Sequence, residues 1–235
     1  MADRVLIIED NKMIIDIVEF NLQREGFEVD KALTGTKGLE KALEGKQDIV
    51  LLDLMLPGMD GLEVLRRLRE HSRVPVIIMT AKESEEDKIQ GLEGGADDYI
   101  VKPLSVRELV ARVKANLRRR APQGNGQDAA GSVVRGRLRA DPSAMSIYKD
   151  GDPVDVTARE FDLLIHLMRN AGKPFTREQL LKNVWGFDIG DPRTVDVTVR
   201  RLREKIEDQP AAPEIVQTKR GVGYFFAEPT PPSTL

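Results

Sequence analysis

The sequence predicts an α/β chain: a doubly wound, five-stranded parallel sheet over residues 1–120, followed by a smaller α+β domain over residues 133–227. Three observations carry this expectation. Short, near-continuous apolar runs alternate with amphipathic stretches through the first half, the pattern of strands buried on both faces and connected by helices. Residues 121–132, APQGNGQDAAGS, hold almost no bulky apolar side chain and read as a flexible linker. Beyond them the pattern changes to short strands, capped helices and a hairpin.

Apolar runs at Val5–Ile8, Ile49–Leu52, Val76–Met79 and, more weakly, Tyr99–Val101 give four strands, and Phe27–Leu33 gives the fifth. Ile14, Ile17, Val18 and Leu22 recur at helical spacing, as do Leu62, Leu65 and Leu68, and later Leu109, Val113 and Leu117. Gly35–Leu43 is a further helix, and five helices are expected in all. Ser105 with Glu108 has the spacing of a capping box. In the second half, Val133–Val156 reads as short strands broken by Asp141-Pro142 and by the turn Lys149-Asp150-Gly151. Thr157 with Glu160, and Thr176 with Gln179, are capping boxes opening two helices. Asp191 as N-cap and Pro192 in the first turn open a third, running to about Asp208. Ile215–Phe226 reads as a hairpin turning near Arg220–Gly223, and residues 228–235 as a frayed tail.

Composition excludes several classes. With no cysteine there is no disulfide scaffold, thiol nucleophile or cysteine-ligated metal. The two histidines, His71 and His166, lie far apart in sequence, against a His-rich zinc site. No apolar run approaches the roughly 20 residues that span a bilayer, and the N-terminus has no apolar h-region, so a cytoplasmic protein without a membrane partner is expected. Residues 1–120 carry 20 Lys and Arg against 23 Asp and Glu, and residues 121–235 carry 16 against 16. Any nucleic-acid surface is therefore a local patch.

In a doubly wound sheet, ligands bind beyond the carboxyl ends of the strands. Glu9 and Asp10 follow the first strand, Asp53 ends the third, Thr80 ends the fourth and Lys102 follows the fifth. Converging carboxylates repel unless one is protonated or a cation lies between them. Mg²⁺, a hard ion that prefers oxygen, suits them. With Lys102 and the Thr80 hydroxyl, the set reads as a phosphoryl-acceptor site with Asp53 as nucleophile. Singly, each residue has an ordinary explanation as a turn former, helix cap or solvated charge; the joint placement at matching strand ends is what argues for a site.

These residues, with Leu56-Pro57-Gly58-Met59-Asp60-Gly61, Thr80-Ala81, Gly95-Ala96-Asp97-Asp98-Tyr99 and Lys102-Pro103, resemble a response-regulator receiver domain, of flavodoxin-like fold, over residues 3–120. The resemblance implies a phosphohistidine donor on a sensor histidine kinase, Met55 carbonyl as a further metal ligand and a cis Lys102-Pro103 peptide. It implies that Thr80 and Tyr99 form a conformational switch.

The third helix of the second domain places Val195, Val199, Leu202 and Ile206 on one stripe, which needs a core. Thr194, Thr198, Arg201 and Lys205 fall on an adjacent polar-basic stripe, expected to be exposed, with Thr198 and Arg201 reading base edges. Arg193, Arg200 and Arg203 are expected to hold phosphates, while Asp196, Glu204, Glu207 and Asp208 dilute the charge. Thr218, Lys219, Arg220 and Tyr224 sit at a Gly-rich hairpin turn suited to a minor groove. Thr157–Phe161, Val184-Trp185-Gly186, Arg193–Asp196 and Arg220–Tyr224 resemble the winged-helix effector domain of the OmpR/PhoB subfamily, over residues 133–227. The loop Gly186–Pro192 is shorter by a residue than is common there, which bears on contact with RNA polymerase.

The resemblance further implies a homodimer on phosphorylation, through the last strand and last helix of the receiver and the helix before that strand. Ile89, Leu92 and Val110 would form its apolar patch. Lys88 with Glu108, Glu93 with Lys114, and Asp98 with Arg112 would pair around it, Asp97 lying alongside. The expected function is a phosphorylation-dependent, non-enzymatic transcription regulator binding tandem sites on double-stranded promoter DNA. A phosphorylation-independent DNA-binding regulator is the alternative. A hydrolase of haloacid-dehalogenase type needs an acid two residues after the nucleophile, where this chain has Met55.

Overall fold

The computed structural model describes residues 2–81, 90–117, 131–186 and 191–228. The chain divides into two compact units, residues 1–121 and 122–235. Only Gly131 and Ser132 of the expected linker, and only Glu228 of the expected tail, fall within the described residues.

The first unit is a five-stranded parallel sheet in the order β2-β1-β3-β4-β5. Its strands are β1 (Arg4–Ile8), β2 (Glu28–Ala32), β3 (Ile49–Asp53), β4 (Val76–Thr80) and β5 (Asp98–Val101). Its helices are α1 (Lys12–Arg24), α2 (Gly35–Leu43), α3 (Gly61–His71) and α4 (Val106–Leu117). Residues 90–93 are helical, and the rest of the expected helix between β4 and β5 lies outside the described residues. Side chains alternate between the two faces, so Leu6, Ile8, Val50 and Leu52 join one core cluster and Val5, Ile7, Ile49 and Leu51 the other. The edge strand β2 instead exposes Glu28, Asp30 and Lys31, charges that discourage pairing with another chain.

Local chemistry fixes the helix starts beside the sheet's carboxyl edge. Asn11 Oδ1 accepts the Met13 and Ile14 amides, and Asp60 accepts that of Glu63. A Cβ on Gly61 would lie 2.1 Å from the Asp53 carbonyl oxygen, so only glycine lets α3 start this close to the end of β3. At α4 the Glu108 amide reaches Ser105 Oγ, but the Glu108 carboxylate turns to Arg112, so the expected capping box is half formed.

The second unit opens with an antiparallel sheet of β6 (Val133–Arg135), β7 (Leu138–Asp141), β8 (Ser146–Lys149) and β9 (Asp152–Val154). Helices α5 (Ala158–Arg169), α6 (Arg177–Leu180) and α7 (Arg193–Ile206) follow, with a π-helical turn, Leu181–Trp185, continuing α6. β10 (Val216–Lys219) and β11 (Gly223–Phe226) close as a hairpin. Both predicted capping boxes of this unit are complete. Asp191 accepts the Arg193 amide just before α7, which ends at Ile206 rather than Asp208. Val195, Val199, Leu202 and Ile206 enter a core with Phe161, Leu164 and the fully buried Trp185.

Candidate functional site

The sheet order reverses between β1 and β3, and the switch point opens at their carboxyl ends. Glu9 and Asp10 stand after β1, Asp53 ends β3 and Thr80 ends β4. Lys102 follows β5, held by its amide on the Thr80 carbonyl at 2.8 Å. One oxygen from each of Glu9, Asp10 and Asp53 lies within 4.8 Å of the others. Lys102 Nζ donates to Glu9 Oε2 at 2.7 Å and to Asp53 Oδ2 at 2.8 Å. The Met55 amide donates to Asp53 Oδ1 at 3.1 Å, while its thioether is exposed. Lys102-Pro103 is cis.

Burial holds the Glu9 carboxyl above its ordinary value, and the nearby Asp53 charge adds to this against the hydrogen bond from Lys102. Lys102 is held above its ordinary value: burial opposes this, but its bonds to Asp53 and Glu9 outweigh it. Three carboxylates against one ammonium leave a surplus of negative charge with hard oxygen donors, which fits a divalent ion such as Mg²⁺. Thr80 is buried; Tyr99 is half-buried against the core cluster of Leu6 and Ile8.

Several residues expected to meet a second copy of the chain have partners within their own chain or are buried. Leu92, at 2% exposure, is in the core rather than on an apolar patch. Asp97 is buried too, accepting from Arg69 Nη2 and the Val76 amide, both at 3.0 Å. Asp98 receives two 2.8 Å bonds from Arg112 Nη1 of its own chain, and Arg112 also binds Glu108. Lys114 pairs with Glu25 of α1. Glu93 is exposed and Val110 half-buried; Lys88 and Ile89 lie outside the described residues.

In the second unit, the expected apolar stripe of α7 is buried, but the buried face is wider than expected. Thr194, Thr198 and Arg201 are buried rather than exposed. Thr198 Oγ1 donates to the Thr194 carbonyl at 2.7 Å, a bond within the helix. Arg201 and Lys205 both bind Glu160, at 2.7 and 2.6 Å, so their charge is spent inside the unit. The reason lies in α5: the Glu160 carboxylate is wholly buried and needs cations from α7. Arg203 is also drawn inward, donating to the Val216 carbonyl and to Thr218 Oγ1. Tyr224 is buried, its hydroxyl donating to Asp196 Oδ1 at 2.7 Å. Arg193 and Arg200 on α7, and Thr218, Lys219 and Arg220 at the hairpin, are exposed.

Three residues escaped the sequence reading. Arg159 is buried with its guanidinium 4.9 Å from the Trp185 ring, and donates to the Val184 carbonyl. Glu207, read as diluting charge, accepts the amides of Glu214, Ile215 and Val216 and so anchors β10 to α7. Arg177 binds Asp196 and Tyr224 together. The Arg159 and Arg177 contacts join segments distant in sequence, and the Glu207 contacts cross a loop; no helical or strand spacing signals any of them.

Comparison with known proteins agrees with this geometry. Residues 5–114 match the response regulator receiver domain, and residues 151–226 match the family described as transcriptional regulatory protein, C terminal. The chain is similar to the response regulator DrrB, a Thermotoga maritima OmpR/PhoB homolog, at 35% identity and a TM-score of 0.52 over 97% of this chain and 100% of that one. It is similar to a RitR mutant at 30% identity and a TM-score of 0.76, with the same coverage. A receiver followed by a DNA-binding unit defines a response regulator acting in transcription. Within that class, the chain belongs to the OmpR/PhoB family.

Proposed function

We propose that this response regulator accepts a phosphoryl group on Asp53 from the phosphohistidine of a sensor histidine kinase, dimerises through its receiver and binds tandem promoter sites. The observation that carries the reading is Lys102 bridging Glu9 and Asp53 with Asp10 alongside, at the switch point of the sheet. An Asp53 carboxylate oxygen attacks phosphorus, the bond to the kinase imidazole breaks, and an acyl phosphate forms. Glu9, Asp10, Asp53 and the Met55 carbonyl would hold Mg²⁺. When bound, the ion supplies positive charge for the transferring phosphoryl oxygens. Lys102 already lies 2.8 Å from Asp53 and can move its hydrogen bond to a phosphoryl oxygen without changing position greatly. The Met55 amide fixes the carboxylate's rotation.

Thr80 and Tyr99 sit on neighbouring strands, with Ile78 opposite Tyr99 and Thr80 opposite Val101. A hydroxyl drawn to the phosphoryl group, with the ring following, would bias the dimerising face by population shift. For that face Lys88, Ile89, Glu93, Asp98, Glu108, Val110, Arg112 and Lys114 remain candidates, while Leu92 and Asp97 are buried within the chain. Arg193, Arg200, Thr218, Lys219 and Arg220 are the exposed residues for DNA. Among the described residues no helix is long and apolar enough to cross a membrane, and the protein is proposed to act in the cytoplasm. RNA polymerase is a further partner, through the loop that includes residues 187–190, which lie outside the described residues.

The test is intact mass after incubation with acetyl phosphate and Mg²⁺, on the native chain and on Asp53→Asn. A gain of one phosphoryl group by the native chain alone is expected. Equal labelling of both would remove Asp53 as acceptor, and labelling of neither, with the cognate kinase also present, would favour regulation without phosphorylation.

A further inference from the structure

Three elements meet at Asp196, and the function proposed above does not use them together. Asp196 lies in the first turn of α7, between the exposed Arg193 and Arg200 at spacings of three and four, so it shares their side of the helix. Its Oδ1 accepts Arg177 Nε from α6 at 2.6 Å and the Tyr224 hydroxyl from β11 at 2.7 Å. Arg177 Nη2 also reaches the Tyr224 oxygen at 3.2 Å, and its guanidinium carbon lies 5.0 Å from that ring. A guanidinium and a phenol hydroxyl thus converge on one anionic oxygen. The pair is not sealed in: the Arg177 side chain is 34% exposed and that of Asp196 39%.

A carboxylate on the side of a helix that approaches DNA repels phosphate, so it is an unfavourable choice there unless it does something else. What it does here is fill an anion site. A phosphodiester group carries the same single negative charge as the Asp196 carboxylate and likewise accepts charge-assisted hydrogen bonds from a guanidinium. We propose that Asp196 is an internal stand-in for a DNA phosphate: it occupies the Arg177–Tyr224 site in the free protein and withholds Arg177 from the duplex. It thereby weakens the phosphate-driven part of binding, the part that supplies essentially all non-specific affinity. This rests on the reading that the second unit docks DNA through α7 and the hairpin.

The variant Asp196→Asn keeps the size of the side chain and one acceptor oxygen, so the cross-link to Tyr224 survives while the charge goes. Binding of the full chain to a fluorescein-labelled random-sequence duplex is measured by anisotropy across a salt series. Asp196→Asn is expected to bind roughly three- to tenfold tighter at low salt, with log K falling more steeply with log salt by about 0.9, the increment for one added phosphate contact. Arg177→Gln should then cost more affinity in the Asp196→Asn background than in the native one. Unchanged or weaker binding by Asp196→Asn with an unchanged salt slope would overturn the proposal and leave Asp196 as a structural tie. Equal cost of Arg177→Gln in both backgrounds would do the same. Failure of the native chain to bind any duplex would instead overturn the DNA-docking reading on which this rests, and the proposal with it.

Discussion

The receiver and the effector unit each bury an ionic trio, and the two trios are opposite in sign. In the receiver Lys102 lies between Glu9 and Asp53, with the exposed Asp10 beside them, so carboxylates outnumber the cation. In the effector unit Glu160 lies between Arg201 and Lys205, and its Oε2 also accepts the Thr157 amide, so cations and donors cover the carboxylate. The second trio is complete in itself: it fastens α7 to the start of α5. The first has charge left over at the edge of a sheet, where an ion and a phosphoryl group can reach it. What marks a buried ionic cluster as a candidate site is a surplus of charge that opens at the end of the sheet, rather than one used to join two helices.

Neutralising a carboxylate should therefore have opposite consequences in the two units. Glu160→Ala removes the partner shared by Arg201 and Lys205 and the side-chain half of the α5 cap. A loss of about 3–5 kcal/mol is expected from breaking a buried ion pair on one side. The chain's one tryptophan, Trp185, is buried in that unit, so urea unfolding followed by its fluorescence reads the effector unit selectively. Glu9→Gln should instead stabilise the receiver, by about 1 kcal/mol or less, because part of the cluster faces solvent. The sign follows from Glu9 being held above its usual 4.5 by burial. Its ionised form is disfavoured in the fold, so its contribution to stability grows as pH falls through the raised folded value towards 4.5. In Glu9→Gln that part of the pH dependence should vanish. A receiver melt without Mg²⁺ that drops on this substitution would break the contrast.

The contrast also separates what local pattern can reveal from what it cannot. Strand ends are set by short apolar runs, and the residue that follows each run stands at the sheet's carboxyl edge, so the spacing of those runs places Glu9, Asp53, Thr80 and Lys102 at that edge. Helical spacing gives the direction of the stripe on α7 but does not say how wide the buried face is. Thr194, Thr198 and Arg201 flank the apolar stripe and lie on the buried face, where Arg201 meets Glu160 of another helix. The prediction that sharpens this is a pair of variants. Arg220→Ala, at the exposed hairpin turn, should weaken binding to all duplexes and flatten the salt slope by about 0.9. Thr198→Val removes a hydroxyl already spent on the Thr194 carbonyl, and should change affinity less than about twofold at any base pair, against the roughly 1–3 kcal/mol of a true base contact. Relaxed specificity at one base pair in Thr198→Val would restore the exposed reading.

The smallest expected effect is a pH response confined to the effector unit. His166, on α5, is tilted against Phe175 with ring centroids 4.8 Å apart. Burial, and then the charges of Lys173 and Arg169, hold it below its ordinary 6.5. The unfolded chain therefore binds a proton more readily than the fold does, and stability falls as pH drops below about 6.5 towards the depressed folded value. Above 6.5 the group contributes no slope. His166→Gln should flatten the effector unit's melting midpoint across that window while leaving the receiver transition unmoved, the reverse of what Glu9→Gln does. Because Trp185 lies in the same core cluster as Phe175, its fluorescence follows the relevant transition. An identical midpoint-against-pH curve for the native chain and His166→Gln would show that this histidine carries none of the acid sensitivity, and that the two units do not differ in the sign of their response.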